Sequence, residues 1–461
     1  MSTVFSLSAT IFQQPIAEIS HVVGRKPAFL VVLAVFAMGS IVAATANNMA
    51  ALLVGRCLQG FASGGSVLAA IVLTDLIELR DRATWLSVQN SIQAAGLRWL
   101  FWINLPPIAI SALGLGLLLG FDRPEIGVLA GLKKVDWVGI LIFMPSAVAF
   151  LVPFTMAGIV FPWSSWKAIM PLVLGITGLT SLALHQRYIA KQPMFRASLF
   201  RKWVTVCSFM GQAVFGVCVN MIFYYLVVFW SGIRGFNEML TGVALLPETI
   251  SIPLAAIICG LTMRKTGHIR WAVLIGWPLT SISIGLLWFM DVSTPLAALI
   301  IINVGVGLGA GTVVSALNVT MLATTNRSDN GHAMAMGFLF KSAGMCLGIA
   351  IGTAVFTVQM ESRLSDIEDA EMTAESFLRV LKEVKQDPAS QEVIVRTLRI
   401  LWAICSALSG LVGILCCSCK YPMLEPRSPE KPEQTAESTV DIESARSSDI
   451  GGPPVKAHQH V

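Results

Sequence analysis

The sequence has little charge. Only 13% of its 461 residues are Asp, Glu, Lys or Arg, while 55% are hydrophobic. Soluble domains carry about 25% charged residues, so a soluble globular chain is excluded. The net charge of +5 is small for this length, and no nucleic-acid partner is expected from it. Histidine is scarce and scattered, at His21, His185, His268, His332, His458 and His460. No two share a helix at metal-ligand spacing, which argues against a zinc or haem site. The nine cysteines form no Cys-x-x-Cys framework. Most lie singly in apolar stretches, where they act as small hydrophobes. Cys416, Cys417 and Cys419 cluster beside Lys420, where palmitoylation and plain interfacial cysteines are competing readings. The first residues lack the charged n-region of a cleavable signal peptide. No catalytic constellation is visible, so neither an enzyme nor a cofactor is expected.

Long apolar runs fill the chain instead. Stretches long enough to cross a bilayer, about 20 residues each, lie near 4–21, 28–46, 50–76, 99–120, 136–157, 168–186, 204–230, 240–262, 271–290, 294–318, 333–357 and 398–419. These twelve define an all-α, polytopic membrane protein. The first is weakened by Gln13, Gln14 and Glu18. A further stub at 84–96 would reach roughly 20 Å as a helix, short of the ~30 Å hydrocarbon core.

Basic residues mark alternate loops: Arg25/Lys26, Arg80/Arg82, Arg123/Lys133/Lys134, the segment from Arg187 to Lys202, and Arg264/Lys265/Arg270. The positive-inside rule places these in the cytosol. Loop 358–397 is the exception, long and net acidic, with helical periodicity at Phe377, Val380, Leu381 and Val384. The loops at 78–84 and 121–135 are both basic, yet one full span separates them. The stub is therefore expected to be half of a lost crossing, through residues missing after Gly96 or a re-entrant segment. The tail 420–461 is rich in Pro, Ser, Glu and Lys and reads as disordered and cytosolic.

Arg56 is the most informative residue, seven positions into an apolar helix. A guanidinium does not deprotonate, and placing one mid-membrane costs roughly 2.5–3.5 kcal/mol on insertion scales. Gln59 shares its helix face, and Gly60 and Gly64 let a neighbouring helix approach closely. A charge-relay or substrate-path role competes with a structural Arg paired to a carbonyl or carboxylate. Glu248, after Pro247, is a candidate proton site, or else a snorkelling or hydrogen-bonded carboxyl. Lys341 is a candidate substrate-facing cation or carboxylate partner, or else a side chain snorkelling to the inner interface. Gly305, Gly307, Gly309 and Gly311, then Gly344, Gly348 and Gly352, suit tight or sliding helix contacts, with ordinary packing as the alternative. Gln212, Asn220, Tyr224, Tyr225 and Trp230 would give one span a mixed lining, Trp230 more simply serving as an interface anchor.

The residues also resemble a known family. Ala17-Glu18-Ile19-Ser20-His21-Val22-Val23-Gly24-Arg25-Lys26 is similar to the major facilitator superfamily loop motif Gly-x-Leu-Ala-Asp-x-x-Gly-Arg-Lys, between its second and third helices. Leu53 to Gly60 resembles the fourth-helix motif with its Arg and Gln-Gly. Arg98-Trp99-Leu100-Phe101-Trp102-Ile103-Asn104-Leu105-Pro106 resembles the signature of the fungal fourteen-span drug:proton antiporters. Gly260 to Arg270 resembles the second-half copy of the loop motif. His21 stands where the loop motif has Asp, and Ala17 where it has its first Gly. The fifth-helix string Gly-x-x-x-Gly-Pro-x-x-Gly-Gly should follow Gly96, where the chain reads Leu97-Arg98-Trp99. Met1 also falls inside the motif's second helix, so a truncated relative is expected.

The resemblance implies two helix bundles and proton-coupled export of small hydrophobic drugs, toxins or secondary metabolites by alternating access. An uptake carrier of the same fold and a degenerate, non-transporting protein are the rivals. Its implied parts are an incomplete N-terminal bundle at 1–134, two linker spans and a basic loop at 135–202, a C-terminal bundle at 203–419, and the tail at 420–461. Arg56, Gln59, Gly60, Glu248 and Lys341 are the transport candidates. His21, Gly24, Arg25, Lys26, Gly260, Arg264 and Gly267 are the gate-loop candidates. Expected partners are a small-molecule substrate, protons and the bilayer. The chain is expected to be a monomer in the plasma membrane, with a vacuolar or vesicle membrane as the alternative.

Overall fold

A computed structural model describes residues 2–65, 67–68, 133, 135–156, 161, 163–190, 193–326, 329–364 and 388–423. The expected stub at 84–96, the span at 99–120, the motif at 98–106, most of loop 358–397 and nearly all of the tail lie outside them. Eleven α-helices occupy the described residues: α1 Ser2–Val23, α2 Arg25–Ala44, α3 Met49–Gly64, α4 Trp137–Met156, α5 Trp166–Tyr188, α6 Trp203–Val228, α7 Glu238–Thr266, α8 Arg270–Leu286, α9 Leu296–Thr324, α10 Asn330–Leu364 and α11 Pro388–Cys417. All fall in one compact unit, Met1–Leu424. Nine of the described helices are long and apolar enough to cross a membrane. The all-α reading therefore holds. α10 runs on to Leu364 and α11 starts at Pro388, so both ends of segment 358–397 are helical.

Short polar residues start several helices. The side chains of Asn48 and Asn237 accept from the backbone N–H of Ala51 (2.7 Å) and Leu240 (2.8 Å), opening α3 and α7. Two glycines turn the loops that resemble each other. Gly24 joins α1 to α2 at φ 101°, and Gly267 ends α7 at φ 71°. Both angles lie in the left-handed region that glycine alone enters freely.

In the second half, α7 and α8 pack on α9, α6 packs on α9, α10 and α11, and α8 packs on α11. In the first half, α3 packs on α1 and α2, and α4 pairs with α5. α1 and α4 both rest on α10, so α10 forms the seam between the halves. The faces turned away from these contacts are apolar, as a bilayer requires. On α7, Val243, Leu246, Ile250, Leu254 and Ile258 form an exposed stripe at helical spacing.

Small residues set the close contacts. A Cβ on Gly60 would meet the Phe5 carbonyl oxygen at 2.5 Å, and one on Gly64 the Ala9 carbonyl oxygen at 3.0 Å. On α9 the four glycines divide between two neighbours. Gly307 and Gly311 abut α7, while Gly305 and Gly309 abut α8. Residues two apart on a helix point in nearly opposite directions, so one run of alternate glycines serves two interfaces. Gly344, Gly348 and Gly352 all face α6. Trp230 is no interface anchor. It is wholly buried and stacks on Phe236, ring centroids 5.3 Å apart.

Candidate functional site

The two loop-motif copies, the α5–α6 connection and the α9–α10 connection lie at one end of the helices, here called the basic end. There the last turn of α1 meets the first turn of α10. The His21 and His332 rings stack with centroids 4.7 Å apart. His332 Nε2 lies 3.1 Å from Glu18 Oε1. Arg25 donates to His21 Nδ1 at 2.8 Å and to Ser20 Oγ at 2.8 Å. A guanidinium has no acceptor, so His21 Nδ1 must accept and that ring is neutral. His332 Nδ1 is buried and has no hydrogen-bond partner.

A second polar group reinforces this end. Asp329, just before α10, accepts from Arg196, and from Ser198 Oγ at 2.9 Å. Burial raises the Asp329 pKa, but the hydrogen bonds from Ser198 and Arg196 and the Arg196 charge outweigh it, and the net shift is downward. Asp136, ahead of α4, accepts from Gln186 Nε2 at 2.6 Å and lies 3.1 Å from His185 Nε2. Further along the seam, Ser342 Oγ donates to Gln13 Oε1 at 3.1 Å, and the Thr10 hydroxyl lies 3.8 Å from Cys346 Sγ. His332 to Cys346 is fourteen residues, so contacts across the seam cover about 21 Å of α10. Ile16, Ala17, Ala62, Met334 and Met336 fill it with apolar side chains.

Arg56 is half-buried on α3, between residues locked to α2. Gln59 Nε2 donates to Ser40 Oγ at 3.0 Å, and a Cβ on Gly55 would lie 2.7 Å from the Ala43 nitrogen. Gly60 holds α3 against α1. The second-half loop places Gly260 in the buried face of α7 and Arg264 on its exposed face, one turn before Gly267. Lys26 is half-buried beside Arg25.

Glu248 is wholly buried, and neither carboxyl oxygen has a hydrogen-bond partner. It is not snorkelling. Its Cα would lie 3.3 Å from a Cβ on Gly307 of α9. One turn before Gly307, Asn303 is also buried with both amide atoms unpartnered.

Lys341 stands apart from these. Its Nζ lies 5.5 Å from the Phe215 ring centroid on α6 and 5.8 Å from that of Phe338. Two phenyl faces supply about 0.5–2 kcal/mol, less than the roughly 2.5–3.5 kcal/mol cost of a cation deep in a membrane. Arg56, Glu248 and Lys341 thus sit in three different helix contacts, on α1/α2, α9 and α6 respectively. The described contacts do not join them in a single relay. Sequence reasoning missed Glu18, His332, Arg196, Asp329 and Asn303. A histidine opening a span three residues after an Asp was the available signal for His332 and Asp329.

The comparisons with known proteins agree with this architecture. The profile of the Major Facilitator Superfamily matches residues 1–97 and 90–349. The chain belongs to the Major Facilitator Superfamily. This superfamily consists of transport proteins rather than enzymes. "MFS transporter L2" of Phoma sp. is 30% identical over 436 residues, 89% of this chain and 73% of that protein. "MFS efflux transporter aclA" of Aspergillus oryzae is 28% identical, over 88% of this chain and 79% of its own length. The crystal structure of the human organic anion transporter MFSD10 (TETRAN) superposes with a TM-score of 0.56 at 13% identity, covering 90% of this chain and 82% of that one. That last likeness concerns the fold alone. The chain is thus an integral membrane transporter, similar to fungal efflux proteins.

Proposed function

We propose that this facilitator is a proton-coupled exporter of small hydrophobic compounds, working by alternating access between its two halves. The basic end is read as cytosolic from its Arg and Lys loops. The observation that carries the mechanism is the seam of α1 and α10, latched at that end by His21, His332 and Glu18. A latch at one end is what a rocking carrier needs while its other side is open. Breaking it requires separating charges and imidazoles rather than unfolding a helix. Similarity to named efflux proteins supports the outward direction of transport.

Proton coupling is assigned to Glu248. A carboxylate buried without a partner is costly, so a site that loads and releases a proton suits it. Arg56, Gln59 and Gly60 are assigned to the helix contact that carries the first half's motion, with Arg56 as its charge-relay residue. His21, Gly24, Arg25, Lys26, Gly260, Arg264 and Gly267 are assigned to the two gate loops. Expression in a drug-sensitive host tests the reading. Lower intracellular dye, restored by an uncoupler, is the expected result. Higher dye would indicate uptake, and unchanged dye a protein that no longer transports.

A further inference from the structure

The Lys341 ammonium is the unexplained charge of the second half. It lies eleven residues from the start of α10, about 17 Å along the helix. No acidic side chain pairs with it among the described residues. Of the described helices packed on α10, α4, α6 and α9 contain no Asp or Glu. α1 has only Glu18, which is engaged with His332. α11 has only Glu392, in its second turn at the opposite end from the basic loops. The polar groups nearest in register are neutral: Ser342 with Gln13, Cys346 with Thr10, and Asn220 donating to the Met345 carbonyl at 2.7 Å.

Three features point to a ligand. The cation is held rather than free, between the faces of Phe215 and Phe338. Lys341 faces α6, and the next residue, Ser342, makes a hydrogen bond across the seam, so the cation lies one helix position from where the halves meet. Residues 338–343 are all half-buried, a turn and a half with no position exposed as the lipid-facing stripe of α7 is. An ammonium with aromatic walls and no acidic partner among the described residues is complementary to an organic anion. The charge meets the ammonium, and a flat apolar body meets the rings.

We infer that Lys341 is the anion-recognition residue of the transport pathway, and that the cargo is an organic acid with an aromatic or fused-ring body lodged against Phe215 and Phe338. This deepens the export reading and rests on it for direction, but the binding step itself does not. The test therefore reads binding first. Purified full-length protein in detergent is titrated with fluorescein, followed by anisotropy. Aromatic carboxylic acids and their methyl esters then compete for the bound dye.

The acids are expected to displace fluorescein at least about tenfold more tightly than their esters. K341Q should erase that ratio, while K341R should keep most of it. Equal potency of acids and esters on the unsubstituted protein overturns the inference and needs no variant. So does failure of every acid to compete, or a K341Q protein that elutes as a single species and retains the ratio. Vesicles separate the two readings. Acid-selective binding without gradient-driven flux would sink export while leaving the anion site standing.

Discussion

The basic end and the middle of the molecule treat charge in opposite ways. At the basic end the described acids are partnered: Glu18 with His332, Asp136 with Gln186 and His185, Asp329 with Arg196 and Ser198. In the middle, among the described residues, Glu248 has both oxygens unbonded and Lys341 meets ring faces rather than an acid. Both regions are shielded by protein, so burial alone does not explain the contrast. Paired charges fix one arrangement of the two halves. Unpaired ones are costly at rest, and on the proposed reading a proton completes Glu248 and a ligand completes Lys341 in turn.

The contrast predicts opposite signs for similar substitutions. His332→Ala strands the Glu18 carboxylate and should destabilise the detergent-solubilised protein by about 1–3 kcal/mol, read as a lower apparent melting temperature. It should also speed thiol labelling of Cys346 from the cytosolic side, because the latch below it is gone. Glu248→Leu removes a partnerless carboxyl and should leave stability unchanged or raise it by about 1 kcal/mol, while gradient-driven transport is lost. If both variants melt lower by the same amount, the division between paired and unpaired regions fails.

The smallest effect concerns pH. The folded pKa of Asp329 is lowered, so its pairing stabilises above the unfolded value, about 3.9. That contribution is lost as pH falls through the folded value. Asp329→Asn should therefore flatten the loss of melting temperature between neutral pH and pH values below about 4. A variant as acid-sensitive as the parent would remove Asp329 from the latch.

Much of the architecture was legible in the residues. Ten of the expected spans fall on described helices, and the first part of 50–76 falls on α3, because apolar length is a strong signal. Gly24 and Gly267 were singled out by the resemblance of their segments to the loop motif, and each turns the chain at a helix end with positive φ. The partners were not legible. His21 departs from the motif's Asp, but nothing local announces that its neighbour is His332, from the other half of the chain. Pairings across a seam depend on how helices cross, which periodicity does not encode. Trp230 reads as an anchor because it ends a span, yet the chain folds back through a π turn and buries it. The α9 glycines read as tight or sliding contacts or as ordinary packing, and they prove to be close contacts divided between two neighbours, which their spacing alone did not reveal.

The central claim is that Glu248 couples a proton to cargo that Lys341 recognises. Fluorescein flux in proteoliposomes, with and without an imposed pH gradient, tests it most directly. The unsubstituted protein should accelerate with the gradient. E248Q should still exchange fluorescein across the membrane but ignore the gradient, and K341Q should do neither. An E248Q protein that responds to the gradient as the parent does would contradict the account.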